Sequence, residues 1–415
     1  MPKKEHILVG LDIGTTKICA IVAEVMADQT IQIVGFGSSP SRGLRKGVVV
    51  NIESTVESIK RAVEEAELMA AVQINSVYIG IAGGHIASEM AKGVVALKRH
   101  EVSRTDIQRA VETARSSAVV SPDRRVLHVL PREFIVDDQE GIREPMGISG
   151  SRLEVDVHIV TGAVTSAKNL IKCVNKAGLQ VVDIVLQPLA SSAAVLTEEE
   201  RDLGIAMVDL GGGTSDLAIF SEGSISHSAV LPVGGQHLTA DLQIGLRTSH
   251  ADAEKIKVSH GVALSSMTND SDMVEVPSVG GRPPRMASMR EVADIIEPRV
   301  EEIFDLVLRE IRRTGYEGKL SAGAVITGGT SQLRGMPDAA ERVLDLPVRR
   351  GVPIGVTGFG DIVARPMFST GVGLILHAHR MDNEFDMSGI MNGRKSGHGI
   401  GGVVDRMKGW ILNFF

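Results

Sequence analysis

At 415 residues with 43% hydrophobic side chains, the chain is long enough for two or more domains around an ample core. A net charge of −7 with both signs interspersed argues against nucleic acid as a partner, and Cys19 and Cys173, both in apolar stretches, fit small core residues in a reducing compartment. The first apolar run ends at Asp12, too soon for a signal peptide, and no apolar run approaches bilayer-spanning length.

Strands are expected at about 7–13, 18–25 and 30–38, forming a meander whose first turn is Asp12-Ile13-Gly14-Thr15-Thr16-Lys17. Asn51 reads as the N-cap of a helix to about Ala71, with Ile52, Val56, Ile59 and Val63 on one face. A strand at 77–82 then runs into Gly83-Gly84. Residues 85–160 interrupt this block with a helix capped by Ser103, whose Ile107, Ala110, Val111 and Ala114 point inward. Strands follow near 126–136 and 153–160, separated by a loop rich in Asp, Gly and Pro at 137–151. His128, His158 and Glu133 fall in these strands without metal-ligand spacing, which favours structural roles. A helix at 166–177 stopped by Gly178, a strand at 179–186 and a helix from Gln187-Pro188 to about Thr197 complete the first half. The run from Glu198 to Asp202 reads as a solvated acidic turn.

The second half opens with Ile205–Val208, Asp209-Leu210-Gly211-Gly212-Gly213-Thr214, then another apolar run to Phe220. Helices are expected at about 236–247 and 250–259, then a mobile loop or short hairpin at 262–287. Apolar residues from Val292 to Ile311 recur at helical spacing over about 288–314, and Pro298 should kink this helix or divide it. A strand at 322–327 ends in Gly328-Gly329, and a last helix spans about 369–380. Residues 381–402 have little apolar content and read as a flexible linker. In the final stretch Val403, Val404, Met407, Trp410, Ile411 and Phe414 share one helical face, with Phe415 following and Arg406 and Lys408 opposite. This is the pattern of an interfacial amphipathic helix, too short to span a bilayer.

The two halves thus repeat one plan: apolar strand, Asp, glycine turn, Thr, apolar strand, and later a strand ending in Gly-Gly. Glycines in such turns leave bare N–H groups that approach anions closely. Gly14, Thr15, Thr16, Gly211, Gly212, Gly213 and Thr214 are therefore candidate phosphate donors, and Lys17 a candidate to neutralise phosphate charge. Asp12 and Asp209 would hold Mg²⁺ through water, because this ion keeps several waters beside phosphates. Gly328 and Gly329 would let a nucleoside lie against bare backbone.

This pair of Asp-x-Gly hairpins with a late Thr-Gly-Gly strand end resembles the actin, heat-shock chaperone and sugar kinase ATPase superfamily. Within it the chain resembles the FtsA family of bacterial division proteins. Leu186–Ala193, similar to that family's first connecting segment, and the C-terminal stretch support the likeness, which covers about 5–380 and the last fifteen residues. The resemblance implies an α/β fold: a duplicated actin-like ATPase with two halves around a nucleotide cleft, an inserted subdomain in the first half and a C-terminal amphipathic helix. It divides the chain into a first core subdomain (5–84 and 161–197, with 360–380 returning), the insertion (85–160), a second core subdomain (198–230 and 306–359) and a smaller one over the nucleotide (231–305). It further implies ATP and Mg²⁺ as cofactors, Glu254 and Lys257 at ribose and adenine, and Gln187 positioning an attacking water. A neutral amide orients water but is a poor base, so turnover would be slow at most. The implied role is to polymerise, to tether the C-terminal peptide of FtsZ through 231–305, with Arg285, Arg290 and Arg299 as candidate contacts, and to engage later division proteins through 85–160. Anionic lipid at the inner face of the cell membrane, at the septum, is the implied location. A pilus-assembly or MreB-type ATPase is the alternative, and a small-molecule kinase a more distant one.

Overall fold

The computed structural model describes residues 6–391, without the side chains of 360, 361 and 382–391. The tail at 403–415 and the second half of the expected linker, 392–402, lie outside the described residues.

Two sheets repeat the same strand plan. The first runs in the order Gln180–Leu186, Ser76–Ile81, His6–Ile13, Lys17–Val25, Ile31–Pro40 and Thr357–Gly358. The second runs Val348–Arg350, Ala324–Thr327, Ile205–Leu210, Ser215–Ser221 and Ser224–Leu231. In each, an antiparallel meander starts at a strand ending in the key aspartate, and the strand on its other side is parallel. The parallel neighbours explain the near-continuous burial of His6–Ile13 and Ile205–Leu210: both faces are covered, so their sequences are apolar runs without alternation.

The Ile52–Ala70 helix begins where Asn51 accepts a hydrogen bond from the Ser54 amide (3.0 Å) and ends at Ala71 in the left-handed region. It lies against the Ile31–Pro40 strand because Gly37 has no side chain: a Cβ there would fall 2.1 Å from the Ala62 carbonyl oxygen. The insertion is a four-stranded sheet, Ala87–Ala96, Arg152–Ala163, Arg124–Val136 and Gln139–Ile142, covered by the Arg104–Ser117 helix. Ser103 and Asp106 form a reciprocal capping box at that helix's start. Ala87–Ala96 was not expected, its residues being mostly exposed or half-buried, and Gln139–Ile142 falls inside the expected loop.

Several expectations are corrected. Glu198–Leu203 is a helix, because Thr197 and Glu200 form a capping box, and Glu200 is ion-paired with Arg349 (2.6 Å). Met289–Thr314 is one continuous helix across Pro298; burial of Val292, Ile296, Val300, Phe304 and Val307 along one stripe outweighs the single lost backbone bond. The 262–287 region holds a short hairpin, one of the two forms expected, formed by Met273–Val276 and Arg285–Ser288. Helix Met336–Leu344 and strand Val348–Arg350 were not anticipated. The last helix spans Ser369–Met391, so the first eleven residues of the expected linker are helical.

That last helix crosses back under the first sheet and packs against helix Gln187–Val195. One core cluster holds Leu8 and Ile21 of the first half, Met207, Phe220 and Val325 of the second, and Val372 and Ile375 of the returning helix. The halves therefore share a floor beneath the cleft.

Candidate nucleotide site

A cavity of about 660 Å³ opens between the two sheets, in the range that holds a nucleotide. Both glycine hairpins reach it. The Gly14 amide bonds the Lys17 carbonyl and the Gly211 amide the Thr214 carbonyl, each at 3.0 Å, which closes the two turns alike. They face each other closely: a Cβ on Gly212 would meet the Thr16 side chain at 2.4 Å, and one on Gly213 would meet Thr15 at 2.7 Å. Threonines of one hairpin thus oppose bare backbone of the other, leaving hydroxyls and N–H groups for an anion.

Asp12 and Asp209 are both buried at the strand ends. Loss of water pushes Asp12 up to about 6, against the opposing pull of Lys17 and with a further push from Asp209. Burial also raises Asp209, although the hydroxyls of Ser191 and Thr370 both donate to its Oδ2. Asp216 pairs with Asp209 across the hairpin, is raised well above the ordinary range by burial, and leaves Oδ1 without a hydrogen bond. Three buried carboxylates thus face one cavity. Among the described residues no three acidic, His or Cys groups converge as direct metal ligands.

These shifts predict a trade between stability and binding. Asp12 ionises near 3.8 when exposed and near 6 when folded, so ionising it opposes folding as pH rises between those values, by roughly 3 kcal/mol above that window. Asp12→Asn keeps the shape without the charge. Its urea midpoint without ligand should exceed that of the parent at pH 7 and match it near pH 4. A gain independent of pH would show that ionisation of Asp12 is not the cause.

The expected residues are brought together, with differences. Glu254 and Lys257 line the cavity as an ion pair (2.7 Å), and Lys257 also bonds the Thr239 hydroxyl (2.9 Å) and the Gly235 carbonyl (3.1 Å). Gly328, at φ 84°, lies so close to Asp209 that a Cβ would be 2.3 Å from Oδ1, whereas a Cβ on Gly329 would meet only Met367, at 3.9 Å. Gln187 reaches Asp12, its Nε2 donating to Oδ1 at 3.2 Å. Lys17 lines the same cavity. Its ammonium donates to the Met367 carbonyl and lies 4.4 Å from the Phe368 ring centroid, so it ties the first hairpin to the returning segment.

Sequence reasoning missed Ser191, Thr370, Asp216 and Thr330, whose hydroxyl bonds the Gly211 carbonyl (2.9 Å). Asp216 carried a signal, since it lies two residues beyond the glycine-threonine turn inside an apolar strand. His128 and His158 are structural, as expected: the first accepts from the Leu186 amide (2.9 Å), the second bonds the Ser228 hydroxyl (3.0 Å), and burial pushes both down to about 4. Cys19 and Cys173 are buried free thiols.

Comparison with known proteins agrees along the whole chain. Residues 206–373 match the family described as "Cell division protein FtsA", and residues 83–161 match "SHS2 domain inserted in FTSA". The cell division protein FtsA of Pseudomonas aeruginosa is 47% identical over 409 residues, covering 98% of each chain. That of Escherichia coli K12 is 42% identical over 418 residues, covering 99% of this chain and 98% of the relative. Among solved structures, a type IV pilus PilM–PilN complex aligns with TM-score 0.66 at 17% identity over 90% of this chain and 98% of that one. MreB5 of Spiroplasma citri bound to ADP aligns with TM-score 0.55 at 16% identity over 94% of this chain and all of that one. These two establish an actin-like fold.

Proposed function

The chain belongs to the FtsA family of cell division proteins, and we propose that it binds Mg-ATP between its two hairpins, polymerises, and tethers FtsZ to the cytoplasmic membrane at the septum. The observation that carries the nucleotide reading is the opposition of Thr15 and Thr16 to Gly213 and Gly212 over a cavity flanked by buried Asp12 and Asp209. Calorimetric titration with ATP, with and without magnesium, tests it: micromolar or tighter binding that needs the metal is expected, and no binding refutes it.

The insertion at 85–160 is the proposed surface for self-association and later division proteins, and 231–305 the proposed seat of an acidic FtsZ peptide. Of its candidate cations, Arg299 is held by Asp241 (2.7 Å) and Glu302, and Arg285 by Glu291 (2.8 Å). Arg290, 3.9 Å from Asp270, is the least engaged and the best placed to accept a new partner.

Membrane attachment rests on the sequence at 403–415. No helix among the described residues is long and apolar enough to cross a membrane. Fully burying one large apolar side chain contributes roughly 1.5–3 kcal/mol, and an interfacial helix inserts only part of each while also having to order. Arg406 and Lys408 add roughly 1 kcal/mol each on anionic lipid, lost as salt rises. One tail therefore holds weakly, and a filament presenting many holds firmly. Trp410→Glu should abolish co-flotation with anionic vesicles and leave ATP affinity unchanged. Flotation at the parent's level would rule out the tail as anchor.

A further inference from the structure

We propose that Gly80 is a positioning residue for ATP hydrolysis, acting by leaving room for the Gln187 amide. The inference rests on the nucleotide reading of the cleft. Gly80 sits in the buried strand Ser76–Ile81, paired with Val185 of Gln180–Leu186, the strand that leads directly into Gln187. Its φ is not positive, so the backbone makes no demand for glycine there. A glycine inside a strand weakens it, and where conformation does not require it the reason is close approach.

What approaches most closely is the Gln187 side chain. A Cβ on Gly80 would lie 2.7 Å from Gln187 Cγ, 3.2 Å from its Nε2 and 3.4 Å from its Cδ. The amide therefore lies against the bare strand, and Gly80, Ile81, Ala82 and Gln187 all line the cavity. From that seat Nε2 donates to Asp12 Oδ1 at 3.2 Å. Because Asp12 takes the amino side of the amide, the carbonyl Oε1 is the side left to accept a hydrogen bond from water. Asp12 thus sets which end of the amide is presented, and Gly80 sets where.

The step served is in-line hydrolysis. A water oxygen forms a bond to the γ-phosphorus as the bond from that phosphorus to the bridging oxygen breaks, and its electron pair leaves on ADP. One of the water's protons stays on the attacking oxygen and the other passes to a γ-phosphate oxygen, giving ADP and dihydrogenphosphate, which then releases a proton to solvent. Gln187 exchanges no proton; it holds the water's orientation, and misplacing an attacking group by about 1 Å costs roughly 100-fold.

Gly80→Ala should lower the single-turnover rate of Mg-ATP hydrolysis at least 10-fold while Mg-ADP affinity stays within about 3-fold. Gln187→Ala should cost as much, and the double variant no more than Gln187→Ala alone, because the methyl acts only through that amide. Additive losses, or a Gln187→Ala variant that hydrolyses at the parent's rate, would overturn the proposal. So would a parent that binds Mg-ATP without turning it over. A Gly80→Ala chain that does not fold also counts against it, since the methyl would then disturb more than one side chain. A parent that binds no nucleotide instead refutes the nucleotide site itself.

Discussion

Asp209→Ala should lose about 100-fold in Mg-ATP affinity, roughly 2.7 kcal/mol, and much less in metal-free nucleotide binding. The carboxylate is buried at the end of the central strand of the second half, where its Oδ2 accepts from the Ser191 and Thr370 hydroxyls. Those two bonds aim it, and they come from the two helices under the cleft floor, Gln187–Val195 and Ser369–Met391. The Gly328 backbone packs on its Oδ1 side. Truncation removes the charge that faces the metal and leaves both hydroxyls without their acceptor, while every glycine of the phosphate turns remains. Calorimetry with and without magnesium separates the two contributions. An unchanged metal-dependent affinity would show that Asp209 is a structural acceptor and that the ion is held elsewhere.

Gly373→Ala should lower the urea midpoint of the whole chain and weaken nucleotide binding about 10-fold at the same time. A Cβ at this position would stand 1.8 Å from the Ala190 carbonyl oxygen and 2.3 Å from its carbon, with backbone rather than a flexible side chain in the way. The returning helix and Gln187–Val195 must then separate, at a cost of roughly 3 kcal/mol or somewhat more. The same helix start carries Thr370, bonded to Asp209 (3.2 Å), and Ser369, bonded to Thr327 (2.7 Å). Moving it therefore disturbs the metal side of the cleft, although Gly373 touches no ligand position. Loss of stability with full affinity would mean that the helix start stays seated when its next turn is displaced.

The amino-acid sequence determined the duplication, because each half writes the same local chemistry: a doubly buried strand is an apolar run, an anion-binding turn needs glycine, and an aspartate at that junction has little other reason to be there. It also determined capped helices such as Ile52–Ala70, where Asn51 and the apolar spacing act within one turn of one another. It misjudged Glu198–Leu203, whose charges suggested solvent while its Thr197–Glu200 box made a helix, and it left open whether Pro298 divides its helix, which continues because its stripe is buried on distant core. The edge strand Ala87–Ala96 was invisible, because its register is set by pairing with Arg152–Ala163 more than fifty residues later. Only the tertiary structure decided the surroundings of the aspartates. Ser191 and Thr370 are 18 and 161 residues from Asp209, and nothing local distinguishes them from any other helix hydroxyl. The same holds for Lys17: its neighbours in sequence point to phosphate, and only the fold brings a carbonyl 350 residues away to its ammonium at the cavity wall. Backbone chemistry is written within a few residues and so can be read there; the orientation and charge state of a buried side chain depend on whatever the fold brings within about 3 Å of it.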